Sequence, residues 1–149
     1  MNRLMQILRP QPHSCNTAGA LLILRLVVGV AFLFHGWGKI QNPFGWMPDG
    51  GAMPIPGIFQ FLAAFAEFGG GLALIVGFLT PIAAFGMAIT MIVAAYMHAI
   101  VFGDPFVSKG GGSYELPLVF LSIFLLLMAT GPGRHSLDAL IFKAKNQKG

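Results

Sequence analysis

Five ionisable residues fall inside otherwise apolar stretches: Arg25, His35, Glu67, His98 and Glu115. A charge at the centre of a membrane span costs about 2.5–3.5 kcal/mol even on lenient scales, so each of these residues needs a partner or a task. Helical spacing gives their direction, because residues three, four and seven apart share a face. Arg25 shares its face with Gly29 and Gly36, and Glu67 with Gln60, Ala63, Ala64, Gly70 and Gly71. His98 lies in line with Met91, Ala94 and Ala95, and Glu115 with Ser122 and Ala129. Small residues mark the faces on which membrane helices approach one another. The polar groups are therefore expected to face the inside of a bundle.

Depth divides them into two sets. At 1.5 Å per residue, Arg25 lies ~10 Å from the inner edge and Glu67 ~15 Å from the outer edge, which predicts a buried Arg25–Glu67 ion pair. His35 and Lys39, one turn apart, stand with His98, Tyr114 and Glu115 at the outer level. There they form a candidate ligand pocket with an apolar floor. A histidine and a carboxylate can hydrogen-bond to a quinone carbonyl and exchange protons with it near neutral pH. Lys39 would stabilise negative charge developing there. Two histidines on different helices could also ligate haem, or a metal together with Glu115. That is the weaker reading, since no H-x-x-x-H pair occurs, and no metal site is assigned. In the plainest reading the same groups bond one another and tie the helices together.

The elements that position these residues follow from composition. The 149 residues are 56% hydrophobic and only 9% charged, against roughly 25% charged in a soluble domain. This excludes a disordered chain, a nucleic-acid module and a cytosolic enzyme. Four apolar runs suit an all-α, polytopic four-helix bundle in one domain over residues 1–149, with spans at about 18–37, 57–79, 81–102 and 114–130. The fourth run is the shortest. Thr80 and Pro81 break the second run from the third, with Thr80 as the expected N-cap and Pro81 in the first turn. Trp37 and Trp46 read as interface anchors.

Six basic residues, Arg3, Arg9, Arg134, Lys143, Lys145 and Lys148, flank the termini, whereas Lys39 and Lys109 lie in the other loops. The bias puts both termini in the cytoplasm, and an even number of spans agrees. The first run is longer than the ~7–15 apolar residues of a signal peptide, so the N-terminus is expected to be retained. Cys15 is the single cysteine, which leaves no intrachain disulfide and no C-x-x-C pair. Leu4, Met5, Ile7 and Leu8 beside Arg3 and Arg9, and Leu137, Leu140 and Ile141 before the closing lysines, could lie on the inner membrane surface. Gly110-Gly111-Gly112 is a turn, not a phosphate loop, because no Lys-Ser or Lys-Thr follows it.

Several short motifs occur in order between Leu21 and Asp138: Leu24-Arg25-Leu26, Phe34-His35-Gly36-Trp37-Gly38-Lys39, Ala66-Glu67-Phe68-Gly69-Gly70-Gly71, Gly77-Phe78-Leu79-Thr80-Pro81, and Gly131-Pro132-Gly133-Arg134 with Ser136-Leu137-Asp138. Together they resemble the DoxX family. The resemblance implies a four-helix prokaryotic inner-membrane protein with Arg25, His35, Lys39, Glu67, His98 and Glu115 at the family's polar positions. It further implies a subunit of a quinone-linked oxidoreductase complex in sulfur metabolism or oxidative-stress defence, with soluble redox enzymes as partners. Kinship of fold does not transfer chemistry by itself. Two other classes stay open: a non-catalytic membrane anchor for soluble enzymes, and a carrier of small solutes or lipids. The stretch from Phe85 to Ala95, apolar except for Thr90, argues against a polar path through the bundle. The expected contact is membrane lipid, and an oligomer could form as well.

Overall fold

The computed structural model describes residues 13–48 and 53–146. Arg3, Leu4, Met5, Ile7, Leu8, Arg9 and Lys148 lie outside the described residues, as do the side chains of Lys143 and Lys145. The chain forms α1 (Cys15–Gln41), α2 (Gly57–Val76), α3 (Thr80–Tyr96), α4 (Glu115–Thr130) and α5 (Leu137–Asn146), and a π-helical turn, Met97–Val101, extends α3. No strand occurs among the described residues. Three helical segments are long and apolar enough to cross a membrane, Cys15–Gln41, Gly57–Val76 and Thr80–Val101, and α4 is a shorter apolar helix. Sixteen residues of α4 give roughly 24 Å, short of a bilayer core of about 30 Å.

The faces of these helices are divided as a lipid solvent requires. Only 28–33% of each long span is buried within the protein, while Ile23, Val27, Phe34, Phe59, Phe65, Ile92 and Leu125 stand more than half exposed. Hydrocarbon solvates these groups as well as a core would. The inward faces form one cluster of Phe32, Leu74, Ala84, Met87, Phe124 and Leu127.

Backbone approach fixes the register of α1 on α2. A Cβ at Gly29 would lie 2.8 Å from the Gly71 carbonyl oxygen, and one at Gly36 would lie 2.6 Å from the Phe68 backbone nitrogen. Neither contact is physically allowed, so glycine is what lets the two helices touch along this seam.

The α2–α3 hairpin differs from expectation at its cap. Gly77 ends α2 in the left-handed conformation (φ 68°), and the N-cap of α3 is Leu79, not Thr80. Pro81 does lie in the first turn of α3. The cap comes from α5: Asp138 accepts from the Leu79 backbone N–H at 2.9 Å and from the Thr80 N–H at 3.1 Å. A carboxylate shared by two helix-start amides satisfies both donors at once and complements the positive end of the helix. Asp138 returns a further bond, its own N–H donating to the Gly77 carbonyl at 3.0 Å. α5 is thus tied across the hairpin at one end of the bundle. The loop residues 42–48, 53–56 and 102–114 lie at the opposite end, here termed the loop end.

Candidate functional site

Glu67 stands about midway along α2, on its small-residue face. Its partner is Lys39, whose Nζ lies 2.6 and 2.7 Å from the two carboxylate oxygens. The Glu67 side chain is 5% exposed and that of Lys39 26%. The ammonium also lies under the Trp46 ring, 4.6 Å from its centroid. Trp46 is held there by its indole N–H, which donates to the Gln60 carbonyl at 2.9 Å. The Gln60 side chain bonds the same loop on both sides, accepting from Met47 N–H and donating to the Ile55 carbonyl. Lys39 thus meets a bidentate carboxylate on one side and an aromatic face on the other.

This corrects the expected Arg25–Glu67 pair. With Gly36 against Phe68, Arg25 lies eleven residues farther along α1, about 16 Å away from the level of Glu67. Arg25 is fully buried at the α5 end instead, where Nη2 donates to the His135 carbonyl at 2.5 Å. It packs against Gly77 and Ser136 beside Asp138, which is itself fully buried.

A cavity of about 360 Å³ opens next to the Lys39–Glu67 pair, lined in part by Phe32, His35, Met91, His98, Leu116 and Phe120. His98 lies in the π-helical turn, a local widening common where a helix must aim a functional side chain. Its Nδ1 is 2.7 Å from Asp104 Oδ2. An ionised carboxylate only accepts, so Nδ1 carries the hydrogen and Nε2 is the nitrogen left for the cavity. His35 stands on the α1 wall, its ring near Phe32 (5.7 Å) and Phe120 (6.5 Å). The arrangement can therefore offer a flat ligand aromatic walls, a fixed cation, a carboxylate and two imidazoles.

His35, Lys39 and His98 line this cavity together. Tyr114 and Glu115 do not. The Tyr114 ring packs on Phe106 at 5.3 Å, and the Glu115 backbone N–H donates to the Phe106 carbonyl at 3.1 Å. These contacts turn the entry of α4 toward its own loop. Three participants were not assigned to the site from sequence: Glu67 as the cavity carboxylate, Asp104 behind His98, and Trp46, read as a plain interface anchor. Asp104 carried a usable signal, being an acid directly after Gly103 and six residues beyond His98. Among the described residues, no group of three or more His, Cys, Asp or Glu is placed to hold a metal ion.

A small polytopic helical membrane protein with a buried Lys–Glu pair beside a histidine-lined cavity is the class that fold and site define. The DoxX family profile matches residues 20–100, and the chain belongs to the DoxX family. It is 36% identical over 126 residues to the Escherichia coli (strain K12) protein "Inner membrane protein YqjF", covering 83% of this chain and 92% of the relative. It is 31% identical over 124 residues to the Bacillus subtilis (strain 168) protein "Putative oxidoreductase CatD", covering 83% and 88%. An uncharacterized protein of Haemophilus influenzae is 32% identical over 125 residues, covering 83% and 91%. No solved structure matches the chain. The protein is a multi-pass membrane protein.

Proposed function

We propose that the chain is a quinone-linked redox component of the inner membrane, with both termini cytoplasmic, in which the cavity beside Lys39 and Glu67 receives the quinone head. The observation that carries this reading is a bidentate ion pair held beside a cavity with an imidazole on either wall. A pair needed only to tie α1 to α2 would not require that cavity. The donor set fits the group. A quinone presents two carbonyl acceptors on a flat ring, against which the cavity sets Lys39, the Nε2 of His98 and the aromatic walls Phe32 and Phe120. When bound, the quinone supplies acceptor chemistry for electrons brought by a partner enzyme. The residues of this chain bind and orient it: Lys39 places positive charge where negative charge develops, His98 holds a proton at Nε2 or receives one, and Asp104 fixes the imidazole. The oxidoreductase name of the Bacillus relative and the inner-membrane name of the Escherichia relative agree with this reading.

The test is an oxidised-minus-reduced ultraviolet spectrum of the protein purified in mild detergent from its own membranes. A near-stoichiometric quinone change is expected. A haem Soret band would replace the quinone reading with bis-histidine ligation. A flat spectrum that stays flat after incubation with quinone and removal of the excess would leave the anchor for soluble enzymes as the function, with the exposed Leu137, Leu140 and Ile141 of α5 as its inner-face feature.

A further inference from the structure

The helices are not packed evenly around the bundle. α1 packs along α2, α2 on α3 and α3 on α4, but no comparable backbone contact joins α4 back to α1. Beside the cavity that side is closed by rings, Phe32 meeting Phe120 edge-on at 5.0 Å and Phe124 at 5.1 Å, while at the α5 end the His13 ring bonds the Thr130 carbonyl at 2.9 Å. His35, on the α1 side of the gap, is exposed although it lines the cavity, and Leu116 on the α4 side is half exposed. Toward the loop end the cavity is bordered by Gly111, Gly112 and Ser113, while Trp46 covers Lys39.

From this asymmetry we infer that the cavity is entered sideways from the lipid, between α1 and α4, and that its ligand is an amphiphile with a flat polar head and an apolar tail that stays in the bilayer. The inference rests on the reading of the cavity as a quinone site and adds the ligand's tail and its route. Two features of the gap suit such a ligand. Aromatic edges can part by side-chain rotation without moving a helix, whereas the glycine seam between α1 and α2 cannot open without separating backbones. His35 and Leu116 then mark where the head passes from hydrocarbon to the polar end.

The consequence is a sharp difference in how a tail affects binding. If the mouth opens to lipid, the tail never leaves its solvent, and binding referred to quinone concentration within the membrane is nearly independent of tail length. If the mouth opens only to water, a ten-carbon tail must be drawn out of hydrocarbon, and each methylene lost from lipid weakens binding severalfold. The decyl compound would then bind at least about a hundredfold more weakly than its tail-free counterpart.

The experiment uses the full chain in nanodiscs of phosphatidylethanolamine and phosphatidylglycerol, in a Trp37→Phe background that leaves Trp46 beside the cavity as the sole indole. Tail-free dimethoxy-methyl-benzoquinone and its decyl derivative are titrated by saturable Trp46 quenching, with both concentrations corrected for partition. Dissociation constants within about threefold of each other are expected. Tail-free binding with decyl binding a hundredfold weaker would overturn the lateral route and leave the quinone site standing. Saturable quenching by neither compound would remove the site itself.

Discussion

Lys39→Met removes the cation from Glu67 and leaves the carboxylate stranded. At 5% exposure it is poorly solvated, and breaking a buried pair from one side costs about 3–5 kcal/mol. Glu67→Gln is not the mirror image. It leaves an ammonium that is 26% exposed and still lies over Trp46, so its loss is nearer about 1–2 kcal/mol after allowance for solvent. Lys39→Met with Glu67→Leu removes both charges and should recover most of the loss, because apolar replacement of a whole buried pair is often neutral. The assay is thermal unfolding in one detergent at fixed pH. At roughly 2–4 °C per kcal/mol for a chain of this size, Lys39→Met should lower the midpoint by about 6–20 °C, Glu67→Gln by about 2–8 °C, and the double variant by less than Lys39→Met. If Lys39→Met moves the midpoint by less than about 2 °C, or the double variant is no better than Lys39→Met, the pair is not a buried interaction and the register of α1 on α2 is wrong.

Other consequences are independent of that pair. Asp138→Ala deletes the cap of α3 and leaves the buried Arg25 without its neighbouring counter-charge, so a loss of about 3–5 kcal/mol in the same unfolding assay is expected, with Arg25→Met comparably damaging. Gly36→Ala drives a methyl group into the Phe68 backbone; a loss of about 1–3 kcal/mol is expected, and stability equal to the parent would mean the seam is looser than described. Asp104→Asn should change stability by no more than about 1 kcal/mol, since its hydrogen bond with His98 is partly exposed, yet weaken saturable quinone binding by freeing the imidazole. Cys15, the single cysteine, is exposed at the α5 end. With both termini cytoplasmic, it should react with an impermeant maleimide in inverted inner-membrane vesicles and not in intact cells, and the reverse labelling would invert the orientation.

The apolar runs were enough to read the helices, because a segment that must hide every backbone polar group in lipid has few other options. Faces were legible for the same reason: Glu67 and His98 do lie on small-residue stripes. Register was not. Which rung of α1 meets which rung of α2 depends on two close contacts, Gly29 with Gly71 and Gly36 with Phe68, and a shift of a few turns exchanges Arg25 for Lys39 as the partner of Glu67. Long-range caps escape a sequence reading too, since nothing near Thr80 signals that its amide is satisfied by Asp138, 58 residues away. Glu115 and Tyr114 were misplaced by a local contact, the packing of the α4 entry on Phe106.

A quinone seated in the cavity depends on His98 for one of its hydrogen bonds. The decisive measurement is a saturable titration of decyl-quinone in nanodiscs with wild type, His98→Ala and Glu115→Gln side by side. Loss of one charge-assisted hydrogen bond predicts roughly 10–100-fold weaker binding for His98→Ala. Glu115→Gln, whose side chain does not line the cavity, should stay within about twofold of wild type. Equal binding by all three proteins, or loss only in Glu115→Gln, would contradict the assignment of the site.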